Sequence, residues 1–182
     1  MRRALLWLFC LAGLVQLGMG LTVPVKAAVA QVLLERAFDR SVASHRPEKP
    51  WPWADMAPAA RLRVPRLGVE RIVLGSGSGQ AMAFGPALLP GAAGLDSAGT
   101  AVIAAHRDTH FRFLATLRAG DLVEVTTIGA GLRRYRITGG EVVRWDRFVL
   151  PDRRGGLVLV TCYPFDAVRH GPWRYALHAE PA

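Results

Sequence analysis

Short apolar stretches recur through the chain from Arg61 onward. Residues 134–138 alternate polar and apolar side chains, whereas 100–105 and 157–162 are continuous apolar runs rich in β-branched residues. Alternation is typical of a strand with one face in a core, and a continuous run is typical of a fully buried strand. Strands are predicted at 60–64, 69–74, 100–105, 122–126, 134–138, 141–145, 157–162 and 173–178. Many short strands with turns and little helix between them predict an all-β fold, a closed or nearly closed β-barrel.

An apolar segment precedes this region. Arg2 and Arg3 are followed by residues 4–23, a run of twenty without a charged side chain. A helix of that length spans about 30 Å, the thickness of the hydrocarbon core of a bilayer. Because basic residues stay on the cytoplasmic side, we expect residues 1–26 to anchor the chain in the cytoplasmic membrane with the rest outside. A signal peptide cleaved near 28–30 is the alternative.

Helical periodicity continues beyond the apolar segment, in residues 27–42. The spacing predicts an amphipathic helix whose apolar face consists of Val29, Val32, Leu33 and Phe38. Such a helix would form a stalk next to the membrane.

A proline-rich stretch then separates the helix from the β region. Residues 45–58 hold four prolines together with Trp51 and Trp53. Proline restricts its own backbone and that of the residue before it, which predicts a linker or an extended arm. The chain is thus divided into the anchor, a stalk and linker at 27–59, and a folded domain at 60–182.

The composition narrows the range of partners. There are 23 Lys and Arg residues against 14 Asp and Glu, which gives a formal net charge of +9. The basic residues are spread along the chain, without a basic run interleaved with aromatic residues, so a nucleic-acid-binding role is not expected. Cys10 and Cys162 lie in such different settings that we expect no disulfide between them.

Two predicted strands end on groups with reactive chemistry. The run at 100–105 leads into His106, and the run from 157 ends on Cys162. A cysteine and a histidine that are distant in sequence are the elementary set for nucleophilic acyl transfer. On the last strand, alternation places Arg174 on the face opposite to Tyr175, where a guanidinium could hold a carbonyl or an oxyanion. A buried inert cysteine and a structural histidine are the alternative interpretation.

The motifs around these residues resemble those of the sortases. Ala104-Ala105-His106-Arg107-Asp108-Thr109, Leu159-Val160-Thr161-Cys162 and Arg174-Tyr175 occur in the order typical of that family, and the resemblance covers residues 61–179. It implies an eight-stranded sortase β-barrel and a membrane-anchored cysteine transpeptidase that uses no cofactor or metal. In these enzymes, the residues matching His106, Cys162 and Arg174 are catalytic.

The resemblance also implies a substrate and an acceptor. A secreted protein with an LPxTG-like C-terminal sorting signal would be cleaved through a thioester on the cysteine, and the acyl group would pass to an amine. Substrate contacts are predicted from Ala105 and Thr161 beside the thiol, from Phe148 and Leu150 in the loop before the cysteine strand, and from His170 in the loop after it.

Several alternatives stay open. Cys-Tyr-Pro-Phe at 162–165 resembles the single-domain, Gram-negative and class D-like sortases. A pilin-polymerising sortase is less expected, because Pro50 to Asp55 lacks the residue order of the lid of those enzymes and no second apolar segment precedes Ala182. Two alternatives from other classes are a zinc-binding Cys/His hydrolase that uses His110 with Cys162 and His106, and a non-enzymatic, anchored β-barrel adaptor.

Overall fold

A computed structural model describes residues 2–75, 79, 81–151, 153–169 and 171–182. Among residues 1–24, it describes only the side chains of Trp7, Gly13 and Gln16. The elements of the described residues are helix α1 (Arg2–Ser44), strands β1 (Pro58–Val64), β2 (Val69–Leu74), β3 (Ala87–Leu88), β4 (Ala101–Ala104), β5 (Leu122–Thr127), β6 (Gly131–Arg144), β7 (Leu157–Cys162) and β8 (Trp173–Pro181), and 3₁₀ helices at Pro65–Leu67, Ala81–Ala83 and Arg112–Thr116.

The eight strands form a closed barrel, as predicted. Their order around it is β1-β2-β3-β4-β7-β8-β6-β5. Strands β2 and β3 are parallel, as are β4 and β7, and the other neighbours are antiparallel. The parallel β4–β7 pair joins strands far apart in sequence, so the ends of two distant segments lie side by side.

Strand alternation fills the barrel. In β7, Leu157 and Leu159 are fully buried in the interior cluster, which also contains Ile103 of β4 and Leu177 of β8. Because successive side chains on a strand point to opposite faces, the residues between them lie on the outside of the barrel. The interior is therefore apolar, and the outer face of the same strands is free to carry other chemistry.

Helix α1 packs against the outside of the barrel. Leu34 and Phe38 are buried against Ile72 and Leu74 of β2. The side chain of Arg61 lies 4.7 Å from the centre of the Phe38 ring. The segment predicted to be a stalk is thus attached to the domain.

The apolar face predicted for this helix was partly wrong. Val29 and Val32 are 52% and 46% exposed. The buried face consists of Ala30, Leu34, Ala37, Phe38 and Ser41. Phe38 is buried as predicted, and its contact and that of Leu34 with β2 decide which face of the helix is turned to the barrel.

The proline-rich arm follows the helix along the barrel surface. Trp51 packs edge-to-face on Phe84, with 5.5 Å between ring centres, whereas Trp53 is 82% exposed. Across the residues that the structure describes, no helix has both the length and the apolar character needed to cross a bilayer. The side chains of the predicted anchor at 1–26 lie largely outside those that the structure describes.

The β6 region differs from the prediction. The two strands expected at 134–138 and 141–145 are one strand with an irregular register between Ile137 and Gly139. Glycines at 139 and 140 interrupt the polar–apolar alternation without ending the strand. A side chain at Gly140 would overlap the ring of Tyr175.

Candidate active site

The register of β4 and β7 brings His106 and Cys162 to the same end of the barrel. Ala101 lies opposite Leu157 and Ala104 opposite Val160 in this parallel pair. The amide of Ala105 donates a hydrogen bond to the Val160 carbonyl at 3.2 Å, which extends the pairing beyond β4. Continued two residues past β4, this register would set His106 opposite Cys162, and both residues line the same groove.

Arg174 flanks the cysteine on its other side. Cys162 and Arg174 are direct partners in the antiparallel β7–β8 pair. The Arg174 Nη1 donates hydrogen bonds to the carbonyls of Gly171 and Trp173, both at 2.8 Å. These bonds hold the guanidinium at the start of β8.

Cys162 and Arg174 both belong to the outer face of the barrel. Strand alternation assigns Cys162 to the face of Val158, and Arg174 to the face of Ala176. Val158, Ala176 and Val102 of β4 form a buried cluster distinct from the barrel interior. Cys162 at the end of β7 and Arg174 at the start of β8 thus lie at one end of an apolar strip on the outer face of the barrel.

Loops enclose this strip as a groove of about 450 Å³. Its lining consists of Met82, Leu89, Ala104, Ala105, His106, Trp145, Phe148, Val160, Thr161, Cys162 and Arg174. Within the groove, the His106 side chain is exposed and Cys162 is half-buried. A nucleophile must be accessible to react but held in place to be directed, and this thiol at a strand end meets both requirements.

Thr161 joins the two strands beneath the reactive groups. Its side chain is 2% exposed, and its hydroxyl donates a 2.8 Å hydrogen bond to the Ala105 carbonyl. The residue before the cysteine is thereby bonded to the residue before the histidine. Thr161 and Ala105, both predicted substrate contacts, line the groove. The Thr161 hydroxyl is used in the bond to Ala105, so its role is to hold the two segments of the site together.

The sequence of the barrel matches a family model, the Sortase domain, over residues 62–182. The chain belongs to the sortase family. Sortases are cysteine transpeptidases, and the family assignment agrees with a thiol, an imidazole and a guanidinium in one groove.

Individual relatives give the same result. The chain is 33% identical over 88 residues to Sortase D of Bacillus subtilis, a match covering 47% of this chain and 44% of that protein. It thus spans less than half the length of this curated relative.

Solved structures share the fold. A sortase D5 transpeptidase from Clostridium perfringens has a TM-score of 0.66 at 20% identity, covering 85% of this chain and 99% of that one. Sortase A from Corynebacterium diphtheriae has a TM-score of 0.62 at 21% identity, covering 71% and 63%. The resemblance to class D sortases is consistent with these matches.

The other predicted substrate contacts fall in different places. Phe148 lines the sortase groove and packs against its buried floor. Leu150 packs against the same floor but is not among the lining residues. His170 lies outside the described residues.

Sequence reasoning missed five further lining residues, of which Ala104 and Val160 lie on β4 and β7 and three come from the surrounding segments. Met82 and Leu89 come from the segment on either side of β3, and Trp145 follows β6. Trp145 is 64% exposed, which is unusual for so large an aromatic side chain. Strand β3 has only two residues, which is too short to show the alternation of polar and apolar positions. The groove wall that contains Met82 and Leu89 was therefore not predictable from the sequence pattern.

The residues of the zinc-site alternative do not converge. His110 lines a separate cavity beside α1, where its Nε2 lies 3.4 Å from the Ala83 carbonyl. Burial is the main cause that lowers the pKa of His110, and the positive charge of Arg71 adds to it. In the ranges described, no three His, Cys, Asp or Glu side chains are grouped to ligate one metal ion.

Proposed function

We propose that this sortase is a membrane-anchored transpeptidase that cleaves an LPxTG-like C-terminal sorting signal through a thioester on Cys162. The proposal depends chiefly on one observation, the register that gives Cys162 Arg174 as its partner on one side and, by extension, His106 on the other. A nucleophile, a proton donor and an oxyanion partner are the groups that acyl transfer needs.

The first half-reaction forms the thioester. The Cys162 thiolate attacks the carbonyl carbon of the scissile amide, and a C–S bond forms as the carbonyl oxygen becomes an oxyanion. As the tetrahedral intermediate collapses, the C–N bond breaks and the His106 imidazolium gives its proton to the departing amine. The products are an acyl-enzyme and the released C-terminal fragment.

The second half-reaction regenerates the enzyme. The acceptor amine attacks the thioester carbonyl, and neutral His106 takes a proton from the attacking nitrogen. The C–S bond breaks, the thiolate leaves and a new amide bond remains. Water in place of the amine would give slower hydrolysis.

Arg174 is assigned the role of positioning the substrate and stabilising the oxyanion. Only its Nη1 is hydrogen-bonded among the described residues, which leaves donors on Nε and Nη2 for a substrate carbonyl. A guanidinium remains charged throughout the reaction and presents several donors in a fixed plane.

The apolar lining favours a short apolar peptide motif. Leu89, Phe148 and Val160 offer surface for a Leu-Pro-like pair, next to the thiol that would meet the following carbonyl. We assign Phe148 and Trp145 to substrate binding and give Leu150 a supporting role.

The uncharged segment 4–23 supports anchoring in the cytoplasmic membrane, with the barrel on the extracytoplasmic side. Helix α1 runs from Arg2 to Ser44, which would connect such an anchor directly to the barrel. Pilin polymerisation has less support, because no described residue of the arm at 45–57 lines the groove.

The experiment is peptide cleavage with mass-spectrometric detection of fragment and amine-ligated product. LPxTG-like peptides are incubated with the full chain and an amine acceptor. Cys162→Ala should abolish cleavage, and His106→Ala should lower kcat by about a hundredfold or more. The matched control is Cys10→Ala, which should retain full activity. Cleavage that persists in Cys162→Ala with normal folding would overturn the proposal.

A further inference from the structure

A buried arginine adjoins the candidate histidine. Arg107 follows His106 in sequence, yet its side chain is only 4% exposed. Burying a charge is costly unless it is paired and hydrogen-bonded. The site described above gives this residue no role.

The guanidinium of Arg107 forms hydrogen bonds in two directions. Towards its own loop, Nε and Nη2 donate to Oδ1 and Oδ2 of Asp108 at 2.7 and 3.2 Å. Across the site, Nη1 donates to the Pro164 carbonyl at 2.6 Å and Nη2 to the Ala167 carbonyl at 2.5 Å. One rigid group thereby connects the segment after the histidine with the segment after the cysteine.

These contacts supplement those of the strands. On the inner face, the Thr161 hydroxyl joins the segment that precedes His106 to the segment that precedes Cys162. Arg107 joins them after the reactive residues, where strand pairing has ended. His106 and Cys162 are therefore each held from both sides along the chain.

We propose that Arg107 is a positioning residue that fixes the His106 loop against the segment following Cys162. The planar fork matters for this task, because a lysine ammonium cannot bond the Pro164 and Ala167 carbonyls and the Asp108 carboxylate in the same geometry.

The guanidinium keeps its charge in this buried position. Hydrogen bonding to Asp108 is the main cause that raises the pKa of Arg107, and it outweighs the opposing effect of burial. A charged fork donates stronger hydrogen bonds to the two carbonyls than a neutral group would.

Two substitutions separate the effect of the fork from that of the charge. Arg107→Gln removes the charge and most of the fork, whereas Arg107→Lys keeps the charge and loses the fork. The matched control is Arg112→Gln, since Arg112 is a nearby exposed arginine in the 3₁₀ helix at Arg112–Thr116. All variants are made in a Cys10→Ala background, so that iodoacetamide reports on Cys162 alone.

The rate of Cys162 alkylation at a fixed pH is the first measurement. Both Arg107 variants should change this rate by about twofold or more, because the segment after the thiol loses its hydrogen bonds to the fork and the thiol is displaced. A parental rate in both variants would show that Arg107 does not position the segment after Cys162. This assay needs no substrate, so its outcome is independent of the proposed function on which the kinetic part depends.

Peptide-cleavage kinetics is the second measurement. Both Arg107 variants should lose about tenfold or more in kcat with little change in KM, because the reacting groups are displaced while the groove is intact. Arg112→Gln should match the parent. Arg107→Lys with parental kcat would overturn the positioning role, even if Arg107→Gln proved too unstable to measure. Loss of cleavage in the parent enzyme itself would instead refute the proposed function.

Discussion

The two faces of the β4–β7–β8 sheet use the same strands for opposite purposes. On the inner face, Leu157, Leu159 and Leu177 are at most 1% exposed and contact other barrel strands. On the outer face, Val158 and Ala176 are equally buried, but loop residues such as Phe148 cover them. The inner face is enclosed by the other strands of the barrel, whereas the outer face opens into the groove at the end that carries Cys162.

This difference shows how the barrel separates stability from chemistry. Thr161 and Cys162 are adjacent on a strand, so their side chains point to opposite faces of the sheet. The inward hydroxyl bonds β7 to the end of β4, and the outward thiol is accessible from the groove. Substitutions on the inner face should therefore alter unfolding, and those on the outer face should alter activity.

The largest stability effect is expected for Leu159→Ala. It should lower the free energy of unfolding by about 2–5 kcal/mol, because it leaves a cavity among strands that cannot collapse easily. Chemical denaturation measures the change. The outward neighbour Val160→Ala is the matched control, with a smaller loss. Equal losses for the two residues would break the distinction between the faces.

Thr161→Val should affect both properties. The valine has the same shape but leaves the Ala105 carbonyl without its hydroxyl donor, which should cost about 1–3 kcal/mol of stability. Since His106 follows Ala105 directly, kcat for peptide cleavage should also fall. Thr126→Val on β5 is the control, because that hydroxyl makes no hydrogen bond among the residues described. Unchanged kcat in Thr161→Val would show that this bond has no part in the site.

Phe148→Ala should weaken substrate binding while leaving the barrel intact. We expect KM for an LPxTG-like peptide to rise about fivefold, equivalent to about 1 kcal/mol of apolar contact. Val149→Ala is the control, since Val149 is 81% exposed and outside the groove lining. A similar KM for the two variants would refute the assignment of Phe148 to the groove wall.

The smallest effect concerns a pair away from the groove. Arg66 donates hydrogen bonds to both carboxylate oxygens of Asp121 at 2.7 Å, and they lower the pKa of that carboxyl. The pair therefore stabilises the fold fully above the ordinary aspartate pKa of about 4, and the contribution is lost as the pH falls through the lower folded value. Asp121→Asn should lower Tm at neutral pH and match the parent in strong acid. A Tm deficit that stayed constant down to low pH would contradict this cause.

Much of the barrel was predictable from strand patterns. The runs ending in His106 and Cys162 are long, apolar and β-branched, and the structure has strands β4 and β7 there. Their register was not predictable, because pairing of strands distant in sequence leaves no local signal. The opposite orientation of Arg174 and Tyr175 was predictable, because the alternation of side chains along a strand depends only on neighbouring residues.

The parts that were missed depend on tertiary contacts. Trp145 looked like the end of a strand, yet it lines the groove because the β6–β7 loop passes over the outer face. Arg107 looked like one of many arginines, and only burial distinguishes it from the rest. The apolar face predicted for helix α1 included Phe38 but not Leu34, whose burial depends on contact with β2.

The most direct test of the central claim is the intact mass of the protein after reaction with an LPxTG-like peptide in the absence of an acceptor amine. We expect an adduct whose mass equals that of the N-terminal peptide fragment, as its free acid, minus one water. The adduct should map to Cys162, be released by hydroxylamine and be absent from Cys162→Ala. Peptide cleavage without that adduct, or an adduct on another residue, would contradict the claim that the thiol at the end of β7 is the nucleophile.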